Sequence, residues 1–137
     1  MEKKQNFSRK REAILEVLKS TKTHPTAEWI FQQLKSVYPD LSLGTVYRNL
    51  SRFKKDGTII TVGVVNGQER FDADISPHSH FVCIRCGAVQ DVTGEFLSPE
   101  VDRRISGLLC AQVSSHQVLF RGLCAACLAG KKTEKGA

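Results

Sequence analysis

Ser42-Leu-Gly-Thr-Val-Tyr-Arg-Asn-Leu-Ser-Arg-Phe-Lys-Lys-Asp-Gly57 is the stretch on which the fold turns. Ser is a residue type whose side chain caps a helix N-terminus, and Gly one that closes a C-terminus in the left-handed conformation. Between them Val46, Leu50 and Phe53 recur at i, i+4, i+7, a stripe that a helix turns toward a core. The opposite face carries Thr45, Arg48, Asn49 and Arg52 with Tyr47 beside them, and Lys54 and Lys55 close the segment. Arg reads guanine through two hydrogen bonds, Asn reads adenine in the same way, and the Thr methyl meets a thymine methyl. This face is therefore equipped for a DNA major groove. An amphipathic helix with a charged outer face is also the commonest surface helix, so the flanking segments decide.

Upstream, Ser8 is positioned to cap a first helix that puts Ile14, Leu15 and Leu18 on one face. The turn Thr23-His-Pro-Thr26 follows, with Thr26 as the cap of a second helix carrying Ala27, Ile30, Phe31 and Leu34 and ending before Pro39. Downstream, two β-rich runs flank Asn66-Gly67, the signature of a hairpin with a type I′ turn. Ile59, Ile60, Val64 and Val65 fall on both faces of that hairpin, so the pattern does not say which face packs. Three helices and a two-stranded wing form a winged helix-turn-helix, expected over residues 1–72. Charge agrees: residues 1–66 hold 12 Lys and Arg against 6 Asp and Glu, whereas residues 67–137 hold 8 of each. The whole excess lies in the half with the recognition face, as an electrostatic footprint for nucleic acid requires.

Residues 73–79, Ala-Asp-Ile-Ser-Pro-His-Ser, are short, polar and broken by Pro77, and read as a hinge. Beyond it, residues 80–137 read as a small α/β unit. It has strand-like runs at His80–Cys83, Ala88–Val92, around Val113 and at Val118–Phe120, and a helix opened by Ser98-Pro99 carrying Val101, Ile105 and Leu108. The fold class is α+β, and the second unit is a plausible dimerisation module.

Four of the five cysteines form two Cys-x-x-Cys pairs, Cys83/Cys86 and Cys124/Cys127, with Gly87 permitting a tight knuckle. Two such pairs close a tetrahedral structural zinc site; a thioredoxin-like dithiol needs one pair and leaves the second unexplained. The fifth, Cys110, lies in an apolar context and is expected as a buried small hydrophobe. His78 and His80 are two apart, so their rings share one side of an extended chain and can hold one metal, or they are two surface histidines of a linker. Asp72 and Asp91 are candidate oxygen ligands that spacing alone does not bring together. The N-terminus is charged and polar and no apolar run approaches a membrane span, which suggests a cytoplasmic protein. Zinc deaminases use a Glu two residues after a His, whereas here His80 and Val82 follow His78 and His80 at that spacing, so no enzymatic activity is expected. A zinc-stabilised DNA-binding protein without sensing remains the plainer alternative.

The runs His24-Pro-Thr-Ala, Leu41-Ser-Leu-Gly-Thr-Val-Tyr-Arg-Asn-Leu, Arg70-Phe-Asp, His78-x-His80-x-x-Cys83-x-x-Cys86-Gly and Cys124-x-x-Cys127 occur in the order seen in the ferric uptake regulator (Fur) family. The chain resembles that family over roughly residues 8 to 128. The resemblance implies a homodimeric, metal-dependent repressor on a double-stranded DNA operator. It assigns the four cysteines to structural Zn(II) and a regulatory Fe(II) or Mn(II) site to His24, Asp72, His78, His80 and Asp91. Asp at both carboxylate positions is closest to the peroxide-responsive (PerR) branch, in which His24 and His78 hold the oxidation-sensitive positions; the alternative is an iron-sensing Fur protein. Peroxide would then be a signal rather than a substrate. Pro77 and Ser79 stand where relatives with a further metal carry ligands, so His116, which aligns with that site, is expected to lack a complete shell. Ser8-Arg-Lys-Arg11 departs from the Thr-Pro-Gln-Arg of many relatives.

Overall fold

A computed structural model of the chain describes residues 2–93 and 98–130, with residues 2–7 described by their backbone alone. It divides into two compact units, Met1–Ile75 and Ser76–Ala137.

The first unit opens with three helices, α1 (Glu2–Lys19), α2 (Ala27–Leu34) and α3 (Leu43–Lys55), followed by strands β1 (Ile60–Val65) and β2 (Gln68–Asp72). Local chemistry sets most of these boundaries. Thr26 Oγ1 accepts the N–H of Trp29 at the start of α2, and Ser42 Oγ accepts that of Thr45 at the start of α3, each satisfying one donor that the first turn leaves unpaired. Gly57, at φ 76°, follows the C-cap of α3 in the left-handed region that a residue without Cβ enters freely. Ser8 is not a cap: α1 already runs from Glu2, because the polar residues before Ser8 are themselves acceptable in a helix and nothing there stops one. Ile14, Leu18, Ala27, Ile30, Leu34, Leu41, Val46, Leu50, Phe53, Ile59 and Phe71 form one continuous core, joining all three helices to the wing.

The wing is the expected antiparallel hairpin, with Asn66 at φ 52° and Gly67 at φ 80° as a type I′ turn demands. Its two-faced apolar pattern has a simple cause. The register steps from Thr61↔Phe71 to Gly63↔Arg70, leaving Val62 as a bulge residue. One extra residue shifts the phase of the pleat, so Val62 and Val65 are both buried while Val64 is 68% exposed.

The second unit contains β3 (Ser79–Cys83), β4 (Val89–Val92), α4 (Pro99–Leu109), β5 (Leu119–Gly122) and α5 (Ala125–Leu128). The sheet order is β4-β3-β5, with β4 antiparallel and β5 parallel to β3. Ser98 caps α4 as its sequence predicts, its Oγ accepting the N–H of Glu100. Two expectations fail here, those for Val113 and Cys110. No strand forms around Val113; that segment is instead pinned to α4, Val113 donating its N–H to Ser106 Oγ and His116 Nδ1 meeting Asp102 Oδ1 at 2.7 Å. The α4 stripe is not buried: Val101, Ile105 and Leu108 stay 42, 37 and 76% exposed. Cys110 is exposed as well, taking the left-handed C-cap position of α4 (φ 51°) rather than a core site. No described helix is long and apolar enough to cross a membrane.

Replacing Gly67 by Ala forces a Cβ into the left-handed turn and should lower stability by about 1 kcal/mol. A drop in the urea midpoint of the full chain, with an unchanged slope, measures it.

Candidate metal centres and nucleic-acid face

In the second unit two knuckles meet. The first is built where β3 ends: the N–H of Gly87 donates to Cys83 O, and Gly87 itself sits at φ 76°. The second is the N-terminus of α5. Cys83 and Cys127 place their Sγ atoms 3.7 Å apart, Cys86 and Cys124 do the same, and all four sulfurs lie within 4.8 Å of one another. A zinc ion bonded to four thiolates at about 2.3 Å sets tetrahedral sulfurs about 3.8 Å apart, so the donor set has the size of a zinc cage. The surroundings already favour thiolate at one corner. Backbone N–H groups of Cys86 and Cys124 point at Cys83 Sγ, each at 3.4 Å, and chiefly the first of these holds the Cys83 thiol down to about 5. Burial acts oppositely on Cys127 and pushes it up to about 12. Phe81, Ala88, Leu123 and Ala126 pack around the cluster.

The same unit holds a second donor group. His78 Nε2 lies 3.2 Å and His80 Nε2 3.4 Å from Asp91 Oδ1, with the two rings 4.4 Å apart between centroids. These are not surface histidines: their side chains are 5 and 8% exposed. Pairing of β3 with β4 sets His80 opposite Asp91, which explains how residues 11 apart meet. His78 Nδ1 is 2.6 Å from the carbonyl of Ser76, so it donates there, and Nε2 is the ring nitrogen turned toward Asp91.

The first unit carries its own pair. His24 Nε2 lies 3.1 Å from Asp72 Oδ2, and both residues are buried. The other oxygen, Asp72 Oδ1, accepts the N–H of Asp74. His24 sits at φ 57°, which costs a residue with a Cβ about 1–3 kcal/mol unless neighbours impose it. Imidazole with carboxylate is a donor chemistry suited to Fe(II), Mn(II) or Zn(II), and both groups offer it. His116 joins no group of three or more metal-ligating side chains among the described residues.

The α3 face is laid out as its periodicity predicts, with Val46, Leu50 and Phe53 buried and Tyr47, Arg48 and Arg52 exposed. Its polar groups are ordered by one another: Arg48 Nη2 donates to Thr45 Oγ1 at 3.0 Å and Asn49 Nδ2 to Thr45 O at 2.9 Å. Tyr47 Oη donates to Glu28 Oε1, and Glu28 Oε2 accepts from Gln68 Nε2 of the wing. Burial and the Glu28 charge raise the Tyr47 pKa. Sequence reasoning missed Glu28, Gln68 and any role for Arg70 itself; only the Arg70-Phe-Asp run carried a signal for any of them.

Substituting Cys86 by Ser removes one corner of the cage. Structural zinc contributes about 10–16 kcal/mol in small zinc domains, more than such a unit holds in reserve. The full-length variant is expected to fall from stoichiometric zinc to almost none by elemental analysis and to lose its cooperative thermal transition in the second unit.

The model of the family described as "Ferric uptake regulator family" matches residues 2–120. The peroxide-responsive repressor PerR of Staphylococcus aureus (strain USA300) is 34% identical over 117 residues, 85% of this chain and 78% of that protein. Among solved structures, the Campylobacter jejuni peroxide stress regulator superposes with a TM-score of 0.72 at 24% identity, covering 90% of this chain and 92% of that one. The Helicobacter pylori ferric uptake regulator Fur, described as having three functional metal binding sites, gives 0.70 at 23% identity, with coverages of 88 and 80%.

Proposed function

This chain belongs to the ferric uptake regulator family, and we propose that it is a homodimeric, metal-dependent DNA-binding repressor that senses hydrogen peroxide. In this reading Cys83, Cys86, Cys124 and Cys127 hold a structural zinc, and His24, Asp72, His78, His80 and Asp91 together hold one regulatory Fe(II), with Mn(II) as a less reactive substitute. The observation that carries it is the same arrangement in both units: buried imidazoles on an aspartate, His24 on Asp72 and His78 with His80 on Asp91. Ligands drawn from both sides of a 73–79 hinge couple the orientation of the two units to metal binding. In a dimer that orientation decides whether two α3 helices reach half-sites on one face of DNA. Metal and operator affinities are then linked by one reciprocal free energy.

Peroxide sensing rests on the ligand set. Ferrous iron, when bound, would activate peroxide so that, overall, one of its oxygens is inserted at a ring C–H of an adjacent imidazole and the other leaves as water, a two-electron oxidation for which peroxide is the oxidant. Oxidation at His24 or His78 would make that imidazole a poorer donor and so lower metal affinity and, through the linkage, operator affinity. The S. aureus relative named as a peroxide-responsive repressor supports this branch. Homodimerisation is supported by the uncovered apolar surface of the second unit: the α4 stripe, and a cleft of about 550 Å³ on the sheet whose walls include Phe81, Val92 and Phe120. Thr45, Tyr47, Arg48, Asn49 and Arg52 are the DNA-reading residues. Regulation rather than catalysis is the role of the whole set.

Two experiments test the reading. Protein loaded with Fe(II), then with Mn(II), is exposed to micromolar peroxide. A gain of one oxygen is expected on peptides carrying His24 or His78, with iron only and with loss of DNA binding. Absence of that gain with DNA binding intact points to the iron-sensing alternative. On DNA selected from a random pool by the Mn(II)-loaded protein, Arg48→Ala should cost about 1–3 kcal/mol and relax preference at one base position.

A further inference from the structure

The Arg70-Phe-Asp run enters the reading above only through Asp72, yet its first residue makes polar contacts of its own, 46 and 47 residues back along the chain. Arg70 Nε donates to the carbonyl oxygen of His24, and Arg70 Nη2 donates to that of Thr23 at 2.7 Å. The next residue, Phe71, gives its backbone N–H to Pro25 O at 3.1 Å. Three consecutive carbonyls of the turn, 23 to 25, are thus taken by two consecutive residues of β2.

The alternation of a strand assigns the rest. Phe71 turns into the core and is 1% exposed, whereas Arg70 and Asp72, two apart, share the other face. One strand face therefore carries both a clamp on the backbone of the His24 turn and the carboxylate that meets His24 Nε2 at 3.1 Å. His24 needs such a clamp. At φ 57° it occupies a region that residues with a Cβ avoid, and a rotation of that one peptide swings the imidazole away from Asp72. Burial lowers the Arg70 pKa from its ordinary value, and a guanidinium so desolvated keeps its place by aiming at oxygen acceptors. The planar fork sends two separate N–H groups to two successive carbonyls, which the single ammonium of Lys does not reproduce.

We propose that Arg70 is a positioning residue of the regulatory metal centre: it locks the left-handed turn at His24 so that the imidazole is held at coordinating distance from Asp72 before metal arrives. The inference rests on the functional reading above for the claim that His24 and Asp72 are ligands. It adds that metal affinity is set in part from the wing strand, at a residue that touches no metal.

The test uses full-length protein, wild type and the variants Arg70→Gln, Arg70→Lys and His24→Ala, with Mn(II) as probe and its free-ion electron paramagnetic resonance signal as the readout. Arg70→Gln is expected to weaken Mn(II) binding by about 10- to 100-fold, as loss of outer-shell support does, while zinc content and thermal midpoint stay near wild type. Arg70→Lys, with one donor in place of a fork, should fall between. It also carries the test should the Gln variant fail to fold. Unchanged Mn(II) affinity in folded Arg70 variants overturns the proposal. A metal-free measurement separates this from failure of the functional reading: the His24 ring resonances and the exchange rates of the residue 23 to 26 amides in Arg70→Gln. If His24→Ala leaves Mn(II) binding intact, the ligand assignment falls. Arg70 is then judged on the ring signal alone, where a shift with faster exchange supports the clamp and an unmoved signal refutes it.

Discussion

Four cysteine sulfurs brought this close would repel one another as thiolates, and whatever offsets that repulsion decides whether the second unit has a centre. One buried cluster of the unit is built on Cys83, Cys124 and Cys127, with half-buried side chains packed around it, and Val82 and Val89 of the sheet are buried as well. α4, the longest described helix of the unit, contributes no buried residue. A unit of about 60 residues buries too little hydrocarbon to be comfortable alone, so a divalent ion among the sulfurs takes the place of a larger core. Hydrogen bonds from the Cys86 and Cys124 amides to Cys83 Sγ prepare the cage by favouring thiolate at one corner. The sheet is tied to it directly: β3 ends on Cys83 and β5 runs on into Cys124. His80 lies on β3 three residues before the first knuckle, and Asp91 is paired with it on β4, so the rigidity of the zinc cage is inherited by the second donor group.

The first unit reaches the same end without sulfur. Its organiser is β2, which gives Phe71 to the core, Asp72 to His24, Arg70 to the turn before α2, and Gln68 to Glu28 on α2. Glu28 in turn accepts from Tyr47 on α3. The strand that carries a candidate ligand is therefore joined through side chains to the helix face that would read DNA. A change at His24 or Asp72 has a physical route to α3 within one unit, in addition to any change in orientation between units.

What the sequence discloses here follows the range of the cause. Thr26 and Ser42 as caps, the Val46-Leu50-Phe53 stripe and the Asn66-Gly67 turn are local, each decided by residues within a turn or two, and each is found as read. The start of α1 is not legible from Ser8, because Ser8 is compatible with both a cap and a helix interior, and the residues before it decide. The face of the wing that packs was unreadable because one bulge at Val62 reverses the alternation on which such readings depend. The exposure of Cys110 and of the α4 stripe has another source: an apolar helix face records that something covers it, not whether the cover lies in the same chain. In the candidate site, His78-x-His80 could be recognised from spacing. The meeting of His24 with Asp72, and of Arg70 with a carbonyl 46 residues away, depends on tertiary packing and was visible only through resemblance, or not at all.

The central claim is that metal binding and DNA binding are one linked equilibrium in this chain. Its most direct test is to measure operator affinity with and without Mn(II) and Mn(II) affinity with and without operator, in protein whose zinc content is held constant. The account predicts two ratios that are equal and well above one, and both reduced to one in Asp72→Ala. An operator affinity that does not respond to Mn(II) would contradict it and leave a zinc-stabilised DNA-binding protein that does not sense metal.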